Sequence, residues 1–260
     1  MSTRGYIYVM TRKETMGQTI KCDKSASPLP CVFRDYEHRE PFKTTPLVEV
    51  SDSIFVESEP ISKPFLGIYN QADSYVDGVG EMLVKHFKTY DQALNLVAGG
   101  MTESIAGGHI VYEPDRRPDK DSTTAWDGLS VTPLQDDEPC RVESYQYLFY
   151  EGRWYVRKSR SYWYDVEELL TALEGEDVMN TAYWIMESDE TDEYKAYERQ
   201  RINYHDIEDE EEHMRLFRED MALYDRVFNE PWCRMLPEGD NLHHPTADRI
   251  AAAVEQVKAA

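Results

Sequence analysis

The chain has few cysteines and no long apolar segment. Its four cysteines are scattered and form no Cys-x-x-Cys pair: Cys22, Cys31, Cys140 and Cys233. This spacing indicates neither a zinc knuckle nor a dense disulfide framework. No run of about 18 apolar residues occurs, and the N-terminal stretch lacks the apolar core of a signal peptide. These absences predict a soluble protein in a reducing cytoplasm.

Basic residues are scarce compared with acidic ones. The 260 residues include 28 Lys and Arg against 50 Asp and Glu, which gives a formal net charge of -22, while 41% hydrophobic residues suffice for a core. Nucleic acid is therefore a poor direct ligand, because phosphate binding draws on Lys and Arg residues that release counterions. The charge favours a basic partner instead, such as a cation, a basic protein or the DNA-binding cleft of a nucleic-acid enzyme.

Recognisable catalytic and metal-binding motifs are also missing. No Gly-x-Ser-x-Gly elbow is present, and the glycine pattern at 77–80 lacks the Lys and the spacing of a phosphate loop. His205, Asp209 and His213 share one helical face, and one Glu-x-x-His element begins at Glu210. A di-metal site needs a second such element. The sequence therefore predicts no catalytic residue, no metal site and no cofactor, and it favours a binding protein over an enzyme.

The distribution of residue types predicts an α+β fold, with a small mixed sheet, two short helices and an acidic C-terminal helical region. Residues 1–60 carry short aromatic and β-branched runs, including a short strand at 19–22, and prolines punctuate them, which predicts a β-rich segment. Residues 64–173 alternate strand and helix patterns and predict an α+β core module. Within it, 114–140 are expected to form a long surface loop. Residues 174–260 form the acidic helical region.

Short-range signals mark the ends of several elements. Asp77 is placed to cap a helix that starts there, and Thr89 and Gln92 have the spacing of a capping box. The double glycine at 99–100 predicts a left-handed C-terminal cap. Glu151-Gly152, between two aromatic runs, predicts a hairpin.

The negative charge is concentrated in the last third of the chain. Residues 165–230 hold about 22 acids against about 6 bases, a local excess of roughly -16, and six carboxylates fall in the seven positions 206–212. Apolar residues recur there at steps of three and four, which predicts a helical stripe that must bury: Met214, Phe217, Met221, Tyr224 and Phe228. A solvated helix face is the simplest interpretation of such a charge run.

A second interpretation is electrostatic mimicry of nucleic acid. Duplex DNA carries one charge per about 1.7 Å and a helix rises about 1.5 Å per residue, so a helix with every second or third residue acidic approaches the charge density of a single strand. Interleaved tyrosines suit a protein interface, although their helical spacing equally suits a core. The predicted partner-binding residues are Asp206, Glu208, Asp209, Glu210, Glu211, Glu212, Glu219, Asp220, Tyr194 and Tyr197.

Residues 66–165 show a pattern of strand, turn, helix start and closing aromatic hairpin. Its positions are Tyr69, Asp73, Tyr75, Gly78, Val79, Gly80, Leu83, His86, Phe87, Tyr147, Phe149, Gly152, Arg153 and Trp154. This pattern resembles a family of small, largely uncharacterised proteins encoded by bacteriophages and mobile elements. Gln71, Ala72 and Ser74 depart from the turn of that family. The resemblance implies a phage gene product that acts in the bacterial host cytoplasm.

Charge and resemblance together lead to one main hypothesis and two alternatives. The main hypothesis is a phage-encoded, anti-defence type of inhibitor, which occupies a host defence or nucleic-acid-binding complex through a DNA-mimic surface on the acidic helices at 174–230. The first alternative is a small hydrolase or transferase with a pocket around Asp73, Asp77 and His86, in which His86 is the acid or base. The second is a structural or assembly component of a phage particle, which would self-associate.

Overall fold

The described part of the chain folds around one mixed β-sheet with helices packed on it. The structure is a computed structural model, and it describes residues 3–34, 47–49, 60–105, 108–112, 134–137, 139, 144–158, 161–190, 192–201, 204, 207, 209–228 and 236–259. Helices and strands are both abundant and are not arranged as repeated βαβ units. The predicted α+β fold class is therefore confirmed.

Eleven strands in the described ranges make up the sheet. They are β1 (Gly5–Met10), β2 (Cys31–Arg34), β3 (Leu47–Glu49), β4 (Phe65–Asn70), β5 (Thr102–Ser104), β6 (Ile110–Tyr112), β7 (Leu134–Asp136), β8 (Tyr145–Tyr150), β9 (Arg153–Lys158), β10 (Trp163–Asp165) and β11 (Leu242–His243). Their order across the sheet is β11-β10-β9-β8-β1-β4-β5-β6-β2-β3, and β7 pairs with β4. Strand β1 lies antiparallel to β4 and parallel to β8.

The central position of β1 joins the compositional zones. This strand comes from 1–60, yet both of its neighbours come from 64–173. The edge strand β11 comes from 174–260 and pairs with β10. The zones that composition separates therefore contribute to a single sheet.

Seven α-helices are described besides short 3-10 turns and one π-helical turn. They are α1 (Glu81–His86), α2 (Tyr90–Ala98), α3 (Val166–Ala172), α4 (Val178–Ser188), α5 (Asp192–Gln200), α6 (Glu210–Phe228) and α7 (Ala247–Ala259). Apolar residues of α1 to α4, such as Leu83, Leu96 and Ile185, form the main core with one face of the sheet. The region predicted to be helical and acidic is thus helical at α4 to α7.

The sheet is buried on both faces around β1. Ile7 and Val9 point into the core beneath the helices, whereas Tyr6 and Tyr8 belong to a second cluster on the opposite face. Successive side chains of a strand point to opposite faces, so a strand covered on both sides must be apolar or aromatic throughout. This explains why the sequence of β1 is an uninterrupted apolar and aromatic run and does not alternate between apolar and polar residues.

Three local predictions are confirmed in detail. The Gln92 backbone N–H donates to Thr89 Oγ1 at 3.3 Å, and the Thr89 N–H donates to Gln92 Oε1 at 3.1 Å, which is a complete capping box. Gly100 follows α2 with a φ of +82°. Glu151 and Gly152, with φ values of 48° and 84°, form the tight turn between β8 and β9.

Two other local predictions are wrong. Asp77 does not cap a helix, because a π-helical turn covers Val76–Gly80 ahead of α1 and the residue before that turn is Tyr75. Asp73, with a φ of 58°, sets up this turn by directing its carbonyl oxygen to the Val79 N–H at 3.1 Å. Residues 19–22 form no strand. The neighbouring backbone pairs with Ile61 instead.

Most of the predicted surface loop at 114–140 lies outside the described residues. The described part of that segment includes β7, which pairs antiparallel with β4. The segment is therefore not a loop over its whole length.

Candidate functional site

The candidate site is the exposed side of α6, which begins in the acidic run. Asp209 precedes the helix and caps it, since its Oδ1 accepts the Glu212 N–H at 2.8 Å. Three glutamates fill the first turn, where the positive end of the helix dipole favours negative charge. The sequence therefore starts a helix here and places carboxylates around its first turn.

The carboxylates of α6 differ in how far they are already neutralised. Arg215 pairs with Glu212 at 2.7 Å and with Glu219 at 2.5 Å. The hydrogen bond from Arg215 holds the pKa of Glu212 below its usual range. Glu210 and Glu211 are exposed and make no ion pair with any residue in the described ranges. Among the described side chains of α6, the carboxylates without an ion-pair partner are therefore at its N-terminal end.

Three predicted partner-binding residues are buried, which corrects the prediction for them. Tyr194 and Tyr197 on α5 and Asp220 on α6 are each more than nine-tenths covered. Their rings and carboxylate face the protein interior, so they support the helices instead of contacting a partner. Asp206 and Glu208 lie outside the described residues.

The apolar stripe on α6 is only partly buried, against the prediction that all of it must bury. Phe217 is half-buried and packs edge-on against Tyr204 at 5.5 Å between ring centres. Met214 and Met221 remain 39% and 37% exposed. The side chains of Tyr224 and Phe228 lie outside the described part of the structure. The helix consequently shows methionines to solvent close to its free carboxylates.

The alternative pocket around Asp73, Asp77 and His86 is not assembled. Asp73 accepts a hydrogen bond from the Ser104 hydroxyl at 3.4 Å, and no hydrogen bond or ion pair joins Asp73 to His86. Two surface clefts of about 260 and 220 Å³ are lined by described residues, and none of these three residues lines either of them. Asp77 is exposed, and partial desolvation raises the pKa of its carboxyl, with smaller contributions from nearby carboxylates. These positions lack the convergence that a catalytic pair needs.

No metal centre is assembled within the described residues. They contain no group of three or more His, Cys, Asp or Glu side chains arranged to hold an ion. The His213 ring instead packs edge-on against Tyr204, with 5.4 Å between ring centres. His205, the first of the three spaced candidate ligands, lies outside the described ranges.

One polar cluster was not predicted from the sequence. Asp189 Oδ2 accepts hydrogen bonds from the Tyr164 hydroxyl at 2.7 Å and from Arg249 Nη1 at 3.0 Å, and it lies 2.5 Å from His243 Nδ1. The His243 ring stacks on Tyr162 with 4.0 Å between ring centres. We call Tyr164, Asp189, His243 and Arg249 the Asp189 cluster.

The Asp189 cluster holds the C-terminal segment against the rest of the protein. Its members come from β10, the end of α4, β11 and α7. Burial raises the pKa of the Tyr164 hydroxyl, and the bond to Asp189 raises it further. An acid at the C-terminal end of a helix opposes the helix dipole, so the position of Asp189 was a signal in the sequence that it has other partners.

Comparison with known proteins assigns the chain to no family. No protein-family model, curated protein or solved structure gives a significant match. In the part of the chain that the structure describes, no helix has both the length and the apolarity needed to cross a bilayer. Inferences about function therefore depend on the geometry of α6.

Proposed function

We propose that the protein is an interaction protein that binds a basic surface through the acidic turn, which we define as Asp209, Glu210, Glu211 and Glu212. The observation that carries this proposal is the state of Glu210 and Glu211, which are exposed and lack an ion-pair partner among the described residues. Free carboxylates next to exposed apolar side chains are suited to a protein partner. The partner class is a host defence or nucleic-acid-binding complex, which the protein inhibits.

The charge density of the acidic turn supports resemblance to a nucleic-acid backbone. Four consecutive residues rise about 4.5 Å along a helix, and duplex DNA places about three charges over that distance. The four carboxylates project around the helix, so the match is one of charge density and not of strand shape. Arg215 lowers this density, because it pairs with Glu212 inside the turn and with Glu219 one turn later. Three of the four carboxylates of the turn therefore have no arginine partner among the described residues, which is close to the charge of the duplex over the same distance.

The net charge of the whole chain assists binding at long range. A charge of -22 raises the encounter rate with a basic surface at low salt. Each exposed ion pair contributes only about 0.2–1 kcal/mol, and salt screens it further. The proposal therefore predicts binding that depends steeply on ionic strength. The resemblance to phage proteins supports a host protein as the target.

A pull-down with charge-reversed variants tests the proposal. The tagged protein is incubated with bacterial lysate at about 0.1 M and about 0.5 M salt, a range over which screening becomes strong. We expect a basic nucleic-acid-binding protein to be retained at low salt and lost with Glu210→Lys/Glu211→Lys. Duplex DNA added to the purified complex should displace the protein if both occupy one cleft.

A matched variant controls for net charge. Glu174 and Glu176 are also exposed but follow α3, so Glu174→Lys/Glu176→Lys changes the total charge equally without altering α6. This control should bind as the wild type does. If the α6 variant and the control retain the same proteins equally well, the acidic turn is not the binding surface.

A further inference from the structure

The exposed methionines of α6 lie in a row along one side of the helix. Met214, Phe217 and Met221 are spaced at i, i+3 and i+7, so they lie along one side of the helix over about 10 Å. Phe217 is half-buried, whereas Met214 and Met221 are 39% and 37% exposed. We call these three residues the Met ridge.

The charges bordering the ridge indicate what kind of surface covers it. Glu210 lies one turn before Met214 on the same side, and Glu211 borders the ridge beside it. Arg218 borders the other half, so among the described side chains along the ridge the net negative charge lies at the N-terminal end. A complementary surface therefore has an apolar row for the ridge and cations over its N-terminal end.

We infer that the Met ridge docks a basic amphipathic helix of the partner. This inference rests on the proposed function and names the part of the partner that α6 receives. An amphipathic helix places apolar residues at i, i+3 or i+4, and i+7 on one side, which matches the spacing of the ridge, while its lysines or arginines reach Glu210 and Glu211. Unbranched methionine side chains adapt readily to such a partner.

Two synthetic helical peptides of equal charge test the inference. The first carries leucines along one face and lysines elsewhere, and the second has glutamine in place of every leucine. We expect the wild-type protein to bind the leucine peptide roughly tenfold more tightly than the glutamine peptide, because the ridge loses its remaining exposure to water. Fluorescence anisotropy with labelled peptides measures both affinities.

Methionine variants distinguish binding at the Met ridge from nonspecific binding of an apolar peptide. Met214→Ser/Met221→Ser should reduce the preference for the leucine peptide to less than about threefold, since about half or more of the apolar gain is removed. Met16 is 40% exposed at a different place on the protein, so Met16→Ser should leave the preference unchanged. Circular dichroism checks that each variant keeps its helices.

The outcomes distinguish this inference from the proposed function. Equal binding of both peptides that is lost with Glu210→Lys/Glu211→Lys would overturn the ridge inference and leave the acidic binding surface standing. Failure of both peptides to bind at low salt would overturn both. An unchanged leucine preference in the double methionine variant would show that the apolar contact lies elsewhere on the protein.

Discussion

Replacing Asp189 by asparagine should destabilise the protein, because one carboxylate oxygen joins four elements. The substitution keeps the shape of the side chain and removes the charge that Tyr164, Arg249 and His243 surround. The hydroxyl and the guanidinium then face a neutral amide. Breaking one partner of a buried ion pair costs about 3–5 kcal/mol.

The partial exposure of the cluster reduces this cost. The side chain of Asp189 is 11% exposed, and that of Arg249 is 34% exposed, so water compensates in part for the lost contact. We expect Asp189→Asn to lower the free energy of unfolding by about 2 kcal/mol, near the value of one charge-assisted hydrogen bond. With a urea m-value of about 2 kcal/mol/M, the midpoint should fall by about 1 M.

Urea unfolding followed by circular dichroism measures this difference. Asp240→Asn is the control, because Asp240 is exposed and lies in the same C-terminal segment. A double-mutant cycle with Arg249→Met should show a coupling energy of at least about 0.5 kcal/mol. A midpoint for Asp189→Asn within about 0.2 M of the wild type would refute the view that this cluster holds the C-terminal segment in place.

Two further predictions concern packing and pH. A Cβ at Gly67 would lie 2.5 Å from Cε1 of the buried Tyr8 ring, so Gly67→Ala should cost about 1–3 kcal/mol of unfolding free energy in urea, and Tyr8→Leu in the same chain should recover part of it. Partial desolvation of the exposed Asp77 carboxyl raises its folded-state pKa above its unfolded value, so its ionised form slightly lowers stability at neutral pH. Asp77→Asn should therefore raise the urea midpoint slightly at pH 7 and lose that advantage as the pH falls to about 3, where the carboxyl is mostly protonated in both states. A gain that persisted at low pH would contradict this explanation.

Much of the local structure could be predicted from residue spacing. The capping box of Thr89 and Gln92 and the turn at Glu151-Gly152 depend on residues within four positions of each other. The cap predicted at Asp77 is wrong, because Asp73 has a positive φ and directs the chain into a π-helical turn. Nothing in the local pattern distinguishes this turn from an ordinary capped helix start.

The candidate site was predictable in part. The charge run correctly predicts exposed carboxylates at Glu210 and Glu211. The ion pairs of Arg215 fall at helical spacings of three and four, so they could have been anticipated. The burial of Tyr194 and Tyr197 could not be anticipated, because an aromatic residue at helical spacing fits a core and an interface equally well.

By itself, the sequence determined the size and location of the negative charge, the ends of several helices and the central hairpin. Each of these follows from composition or from interactions between residues near each other in the chain. Only the tertiary structure decided that β1 lies between β4 and β8, and that Tyr164 and Asp189 meet Arg249. The two partners of Asp189 lie 25 and 60 positions away from it in the chain. These contacts form because burial of apolar surface brings distant segments together.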